Sequence, residues 1–117
     1  MVLSKNDKET ITELLNLEID DLLELICEDL IGNVGIVEYP PSKKCNLAKQ
    51  WFKNNLEMMR ALLCTNEMMI KSNQKNNDMF MIAAIADLLA GLLVNVSPFT
   101  VSTYIYKIGI KKVCPDI

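Results

Sequence analysis

Cysteine is the residue type with the most potential for chemistry in this chain, which has four cysteines and no histidine. They are Cys27, Cys45, Cys64 and Cys114. No two form a C-x-x-C pair, and without histidine their spacing does not match a zinc site. Residues 1–10 lack the basic and then apolar pattern of a secretion signal, so we expect a cytoplasmic protein with free thiols. Cys27 and Cys64 fall within helical patterns and are expected to be small core residues.

Asp87 is the one ionisable residue in the apolar segment 79–96. A carboxylate there would suit acid–base catalysis if burial raised its pKa. The pattern places no second acid or nucleophile beside it, and without histidine there is no imidazole base. We therefore expect Asp87 to point out of its helix or to pair with a lysine. The sequence predicts no enzyme, no catalytic residues, no cofactor and no metal site.

The elements that carry these residues are predicted to be helices. Half of the residues are hydrophobic but only 6% are aromatic. Leu, Ile and Met supply most of the apolar mass, which suits packed helices better than a β-sandwich. At 117 residues the chain is expected to be a single helical domain, 1–117. The predicted fold class is all-α, a compact bundle of four or five helices.

Apolar residues recur at steps of three or four along most of the chain, as helices require. The pattern predicts helices over residues 4–31, 42–64, 65–70, 79–94 and 97–107. The first segment either buries two faces or bends near Asn16. Ser4 and Ser97 are the expected N-caps of the first and last helices. The helix 79–94 is the most apolar, and we place it at the centre of the bundle.

The segment 79–96 is almost long enough to cross a membrane, but Asp87 lies at its middle. A carboxylate at the centre of a bilayer costs roughly 2.5 to 3.5 kcal/mol. The neighbouring amphipathic helices are able to cover this segment within a bundle. We therefore expect a buried helix and no membrane association.

The charges of the chain are segregated along its length. Residues 1–38 hold ten acidic side chains and two lysines, a balance of −8, whereas residues 39–117 hold five acidic and ten basic side chains, a balance of +5. We expect the two halves to attract each other; the alternative is a basic face left free for a partner. The net charge of −3 disfavours a protein that binds nucleic acid by bulk positive charge.

Methionine pairs and the single tryptophan indicate a surface for a protein partner. Thioether side chains repack at low cost, although such residues also serve as core filler. The predicted function is a small interaction or regulatory module that binds another protein, or forms a homodimer or other homo-oligomer, through an apolar helix face. The candidate partner-binding residues are Trp51, Met58, Met59, Met68 and Met69.

An alternative function comes from residues 87–107, where the step VSPFTVS follows an apolar helix. This segment resembles the helix-turn-helix of bacterial repressors. The resemblance implies a DNA-binding transcriptional regulator in which Val96, Val101 and Tyr104 or Ile105 pack inward. The residues that it assigns to DNA are Phe99, Ser102, Thr103, Tyr106, Lys107, Lys111 and Lys112. This face offers no Arg, Gln or Asn for bidentate base contacts, so protein binding is preferred to DNA binding.

Overall fold

The computed structural model of the chain describes residues 4–32, 41–65, 78–93 and 95–115, and its regular structure within these ranges is helical. The helices are α1 (Lys5–Leu15), α2 (Ile19–Gly32), α3 (Pro41–Leu63), α4 (Asp78–Leu89), α5 (Pro98–Ile108) and α6 (Ile110–Val113). The Cα radius of gyration is 13.9 Å, close to the roughly 13 Å expected for a compact domain of this length. The predicted all-α bundle is confirmed. The helix predicted after Thr65 lies outside the described residues.

The first helical segment bends, which was one of the two predicted alternatives. Ser4 caps α1 as expected: its hydroxyl accepts a hydrogen bond from the Asp7 amide at 3.0 Å, and the Asp7 carboxylate accepts one from the Ser4 amide at 3.2 Å. At the bend, the Glu18 amide donates to the Asp21 carboxylate at 3.1 Å. This carboxylate satisfies a backbone donor beside the start of α2 that has no partner within the helix.

Helix α3 is the longest described helix and packs against α2, α4 and α6. The apolar spacing of α3 predicts a core face of Ala48, Phe52, Leu56, Met59 and Leu63, and these residues are buried or, for Leu56, half-buried. The same spacing predicts that Trp51, Met58 and Leu62 broaden this face, which is wrong for Met58 and Leu62 because both are exposed. The contact between α2 and α3 brings the acidic first part of the chain beside the lysine-containing helix, as the charge pattern led us to expect.

Helix α4 is shorter than predicted, because it ends at Leu89 and not at residue 94. The amides of Leu92 and Leu93 both donate to the Leu89 carbonyl, at 2.9 and 3.0 Å, so the chain forms a turn there. Gly91 lies in this turn, and glycine costs about 1 kcal/mol relative to alanine inside a helix. The Asp87 side chain is exposed, as expected. None of the described helices combines the length and apolar character that crossing a membrane requires.

The buried centre of the bundle consists of α4 together with α5. Helix α5 packs against α1, α2, α4 and α6, and every residue from Thr100 to Ile105 is buried. Its start matches the prediction, because the Ser97 hydroxyl accepts from the Thr100 amide at 3.5 Å. The Ser97 amide donates to the Asp29 carboxylate of α2 at 3.1 Å. A negative charge at a helix N-terminus is favourable, so this contact joins α2 to α5.

A disulfide joins Cys64 to Cys114, which corrects the expectation of free thiols at both positions. Their Cα atoms are 5.3 Å apart although they are separated by 50 residues in the chain. The Arg60 guanidinium reinforces this connection by donating from Nε to the Val113 carbonyl at 2.9 Å. No local pattern indicates this pair, because only helix packing brings the two positions together. Cys27 is fully buried, as predicted.

Candidate interaction surface

Helix α3 presents chemically different sides to its surroundings because its side chains are spaced at about 100° per residue. One side is buried in the core. A second side carries Trp51, Met58 and Leu62, and we call these three residues the α3 stripe. Trp51 and Leu62 are eleven positions apart, which is about 16 Å along the helix axis.

The α3 stripe is apolar but remains accessible to solvent. Met58 is 51% exposed and Leu62, one turn further along, is 40% exposed. Trp51 is half-buried and packs against the core. The Asn55 amide group, which lies between them, donates to the Trp51 carbonyl at 2.8 Å. Asn55 is uncharged, and this hydrogen bond satisfies one of its side-chain N–H groups within α3.

The outer margin of the α3 stripe is mostly uncharged but carries one carboxylate. It consists of Gln50, Asn54, Ala61 and Glu57, which are exposed. The Gln50 side-chain amide donates from Nε2 to the Asn54 side-chain oxygen at 3.0 Å. Three basic residues of α3, Lys49, Lys53 and Arg60, are exposed about 180° around the helix from the stripe.

The five predicted partner-binding residues do not form one surface. Met58 is the most exposed, and Trp51 lies on the same side of α3. The assignment of Met59 is wrong, because this residue is completely buried. Neighbouring helical positions differ by about 100°, so Met59 points into the core where Met58 points out. Met68 and Met69 lie outside the described residues.

Leu62 is exposed on this surface although it is not among the predicted partner-binding residues. It occurs four residues after Met58 and eleven after Trp51, which is the spacing of one helix face. That spacing was available in the sequence. Methionine content alone was a poorer guide, because it does not distinguish the two sides of a helix.

Two of the residues assigned to DNA by the helix-turn-helix resemblance are in the core. Ser102 and Thr103 are fully buried, so their predicted placement at a DNA groove is wrong. Their hydroxyls donate to the carbonyls of Pro98 at 2.6 Å and Phe99 at 2.8 Å, each four residues earlier. Such hydrogen bonds satisfy short hydroxyl side chains within the helix and allow their burial. Val101 is buried as the resemblance implied.

The remaining residues of that set have different surroundings. Phe99 is half-buried against the core. The Lys107 ammonium donates to the carbonyl of Leu17, which ties the end of α5 to the bend between α1 and α2. Lys111 and Lys112 are exposed on α6. Of the seven side chains, these two lysines are therefore the ones that point freely into solvent.

Tyr106 connects the end of α5 to the start of α4. Its hydroxyl donates to the Asp78 carboxylate. This hydrogen bond, followed by partial burial and the negative charge of Asp78, raises the pKa of Tyr106 to about 12. A raised pKa in the folded state favours the neutral phenol, so the contribution to stability is complete below pH 10 and is lost as the pH rises through about 12.

We expect the Asp78→Asn substitution to lower the pKa of Tyr106 towards the ordinary value near 10. The variant loses the charged hydrogen-bond acceptor that stabilises the neutral phenol. Ultraviolet titration of tyrosinate absorbance measures the change, and Tyr106→Phe identifies which transition belongs to Tyr106. An unchanged titration curve in Asp78→Asn would show that Asp78 does not set this pKa.

Exposed large apolar side chains also occur at Ile19 and Phe80. They lie on different helices, and isolated apolar residues are normal on protein surfaces. Among the described residues, α3 is the helix that carries two of them on the same side.

Comparison of the chain with protein-family models, with curated proteins and with solved structures finds no match.

Proposed function

We propose that this protein is a small helical interaction module that binds a helix of another protein, or of a second copy of itself, through the α3 stripe. The observation that carries the proposal is the exposure of Met58 and Leu62 one turn apart on the same side of a long helix. Apolar residues three or four positions apart lie on the same face of a helix, and such residues commonly form the contacts between two helices.

The physical basis of binding is the removal of apolar surface from water. Full burial of a leucine or methionine side chain contributes about 1.5–3 kcal/mol. About half of each of the Met58 and Leu62 side chains is exposed, so roughly half of this burial free energy is still available for binding. Trp51 adds a large, rigid side chain at one end, of the type that often contributes most to binding. Association would therefore be modest in strength and depend on shape more than on charge.

The proposed role involves binding and no catalytic step. It also requires no particular compartment. The cytoplasmic location expected from the sequence would expose the Cys64–Cys114 disulfide to reduction, whereas an oxidising compartment would preserve it. The α3 stripe lies on a different side of the helix from Arg60, which contacts the disulfide-linked segment.

Site-specific photo-crosslinking tests the proposal in the cells that make the protein. We expect a photoreactive amino acid at position 58 or position 62 to form a covalent adduct with a protein, because these positions would lie in the interface. The matched control is position 53, where Lys53 is exposed on the opposite, basic side of α3. It should form no adduct. Equal labelling at positions 53 and 58, or no adduct at positions 58 and 62, would contradict the proposal.

Titration with duplex DNA separates this function from the helix-turn-helix alternative. A contact made by the α3 stripe should change little with salt. DNA binding that weakens steeply with salt, and that is lost when Lys111 and Lys112 are replaced by alanine, would favour the alternative.

A further inference from the structure

We propose that the Cys64–Cys114 disulfide is a redox-sensitive switch that controls the docking of α6. While the disulfide is intact, it holds α6 against the end of α3. When the disulfide is reduced, α6 separates from a bundle that stays folded. The juxtaposition that carries the proposal is a very short helix joined to α3 by a disulfide in which one cysteine is accessible to solvent and the other is buried. The α3 stripe takes no part in this switch.

Helix α6 is too short to be stable by itself. It has four residues, whereas isolated helices shorter than about 12–15 residues are marginal in water. The single residue between α5 and α6 is Gly109, whose φ of 101° lies in a region that glycine adopts readily. Helix α6 therefore depends on its packing against α3 and α5 to hold its position.

The noncovalent contacts of α6 are close to balance with the entropy that docking costs. Arg60 Nε donates to the Val113 carbonyl at 2.9 Å, and Ile110 and Val113 are buried. Burial of two aliphatic side chains favours docking by an amount similar to the backbone entropy that is lost when a segment of this length is ordered. The exposed Lys111 and Lys112, which directly precede Val113, add repulsion with Arg60. The disulfide therefore decides whether α6 is docked.

The rest of the bundle has a core that does not depend on α6. Residues that are completely buried occur on each of α2, α3, α4 and α5, for example Ile26, Met59, Ile85 and Ile105. Helix α6 itself contributes Ile110 and Val113 to the buried residues. Separation of α6 should therefore uncover one part of the core and leave the packing among the other helices in place.

The two sulfur atoms of the disulfide differ in accessibility. Cys64 is half-buried, whereas Cys114 is 1% exposed. One thiolate of a dithiol reductant therefore attacks Cys64 Sγ: a mixed disulfide forms as the bond to Cys114 breaks, and the Cys114 sulfur keeps the electron pair and takes a proton. The second thiolate of the reductant then displaces Cys64, which is protonated in turn.

In this exchange the protein disulfide gains two electrons and two protons, and the dithiol becomes a disulfide. A low-molecular-weight disulfide reverses the change by accepting the two electrons, which closes the Cys64–Cys114 bond and docks α6 again. The state of α6 should therefore follow the ratio of dithiol to disulfide around the protein.

Alkylation of individual cysteines tests the switch, because Cys27 and Cys114 are almost equally buried: Cys27 is 0% exposed and Cys114 is 1% exposed. Iodoacetamide is added to the reduced wild type, and mass spectrometry of peptides assigns the adducts. We expect Cys114 to react at a rate similar to that of Cys64, because α6 has separated. Cys27 should stay unreacted, because α2 remains packed in the core.

Cys64→Ala is the matched variant, since it removes the disulfide without placing an alkyl group between α3 and α6. Cys114 should react in this variant without any reductant, and Cys27 should not. Circular dichroism verifies that the helices of the variant are formed.

Amide hydrogen exchange of the wild type provides a second measurement. The amides of Lys112 and Cys114 donate to the carbonyls of Gly109 and Ile110 at 3.0 and 2.7 Å. Reduction should remove the protection of these two amides and leave the amides of α5 protected, and oxidation should restore it.

Two results would overturn the proposal. If Cys114 stays protected from alkylation in the reduced protein and in Cys64→Ala, α6 docks without the disulfide. If Cys27 reacts as fast as Cys114, the disulfide holds the whole bundle together and does not control α6 alone.

Discussion

Removal of the Cys64–Cys114 disulfide is expected to lower the free energy of unfolding by about 4 kcal/mol. The bond closes a loop of 50 residues, and it reduces the entropy of the unfolded chain by an amount that corresponds to about 4 kcal/mol for a loop of this length. A domain of this size is usually stable by only about 5–15 kcal/mol. The effect would therefore be a large fraction of the total stability.

Urea denaturation of the wild type and of the double variant Cys64→Ala, Cys114→Ala measures this difference. The wild type should also lose stability when a dithiol reductant is added, because thiol–disulfide exchange opens the same loop. The double variant is the matched control, and its unfolding curve should not change with reductant. A wild-type midpoint that does not depend on reductant would show that the disulfide contributes no stability.

Replacement of Met59 by alanine is expected to lower the free energy of unfolding by about 2–5 kcal/mol, the usual range for a buried methionine. Met59 is fully buried in the core, so its removal leaves a cavity. The adjacent Met58→Ala change should alter the stability of the monomer by less than about 0.5 kcal/mol, because Met58 is 51% exposed.

The two methionine variants form a matched pair, since they make the same chemical change at neighbouring positions. The measurement is urea denaturation at low protein concentration, so that self-association does not contribute to the stability. Equal losses for Met58→Ala and Met59→Ala would contradict the orientation of α3. A larger loss for Met58→Ala would place the α3 stripe in the core.

The helical fold was predictable because apolar spacing reports directly on which side of a helix is buried. The core face of α3 and the Ser4 and Ser97 caps follow from residue spacing and from local hydrogen-bonding chemistry. The same local rules did not determine where α4 ends. A continuous apolar run predicted a longer helix, but the chain turns after Leu89. Apolar residues fill both the helix and the turn that follows it, so composition does not mark the boundary.

Long-range contacts account for the wrong prediction that Ser102 and Thr103 face DNA. Ser102 and Thr103 are polar residues that indicate an exposed surface in the sequence, yet they are buried because their hydroxyls bond to carbonyls of the same helix. Burial of this part of α5 depends on α1, α2 and α4 packing around it. The polarity of a side chain alone does not reveal such an arrangement.

The sequence by itself determined that the chain is helical, that Ala48, Phe52, Met59 and Leu63 share the buried face of α3, and that Asp87 interrupts an apolar segment. Each of these properties depends on residues within a few helical turns of one another. The tertiary structure alone decided that Cys64 pairs with Cys114, that α5 shares the centre of the bundle, and that Met58 and Leu62 remain exposed together. These properties depend on which helices meet, and packing brings together residues that are distant in the chain.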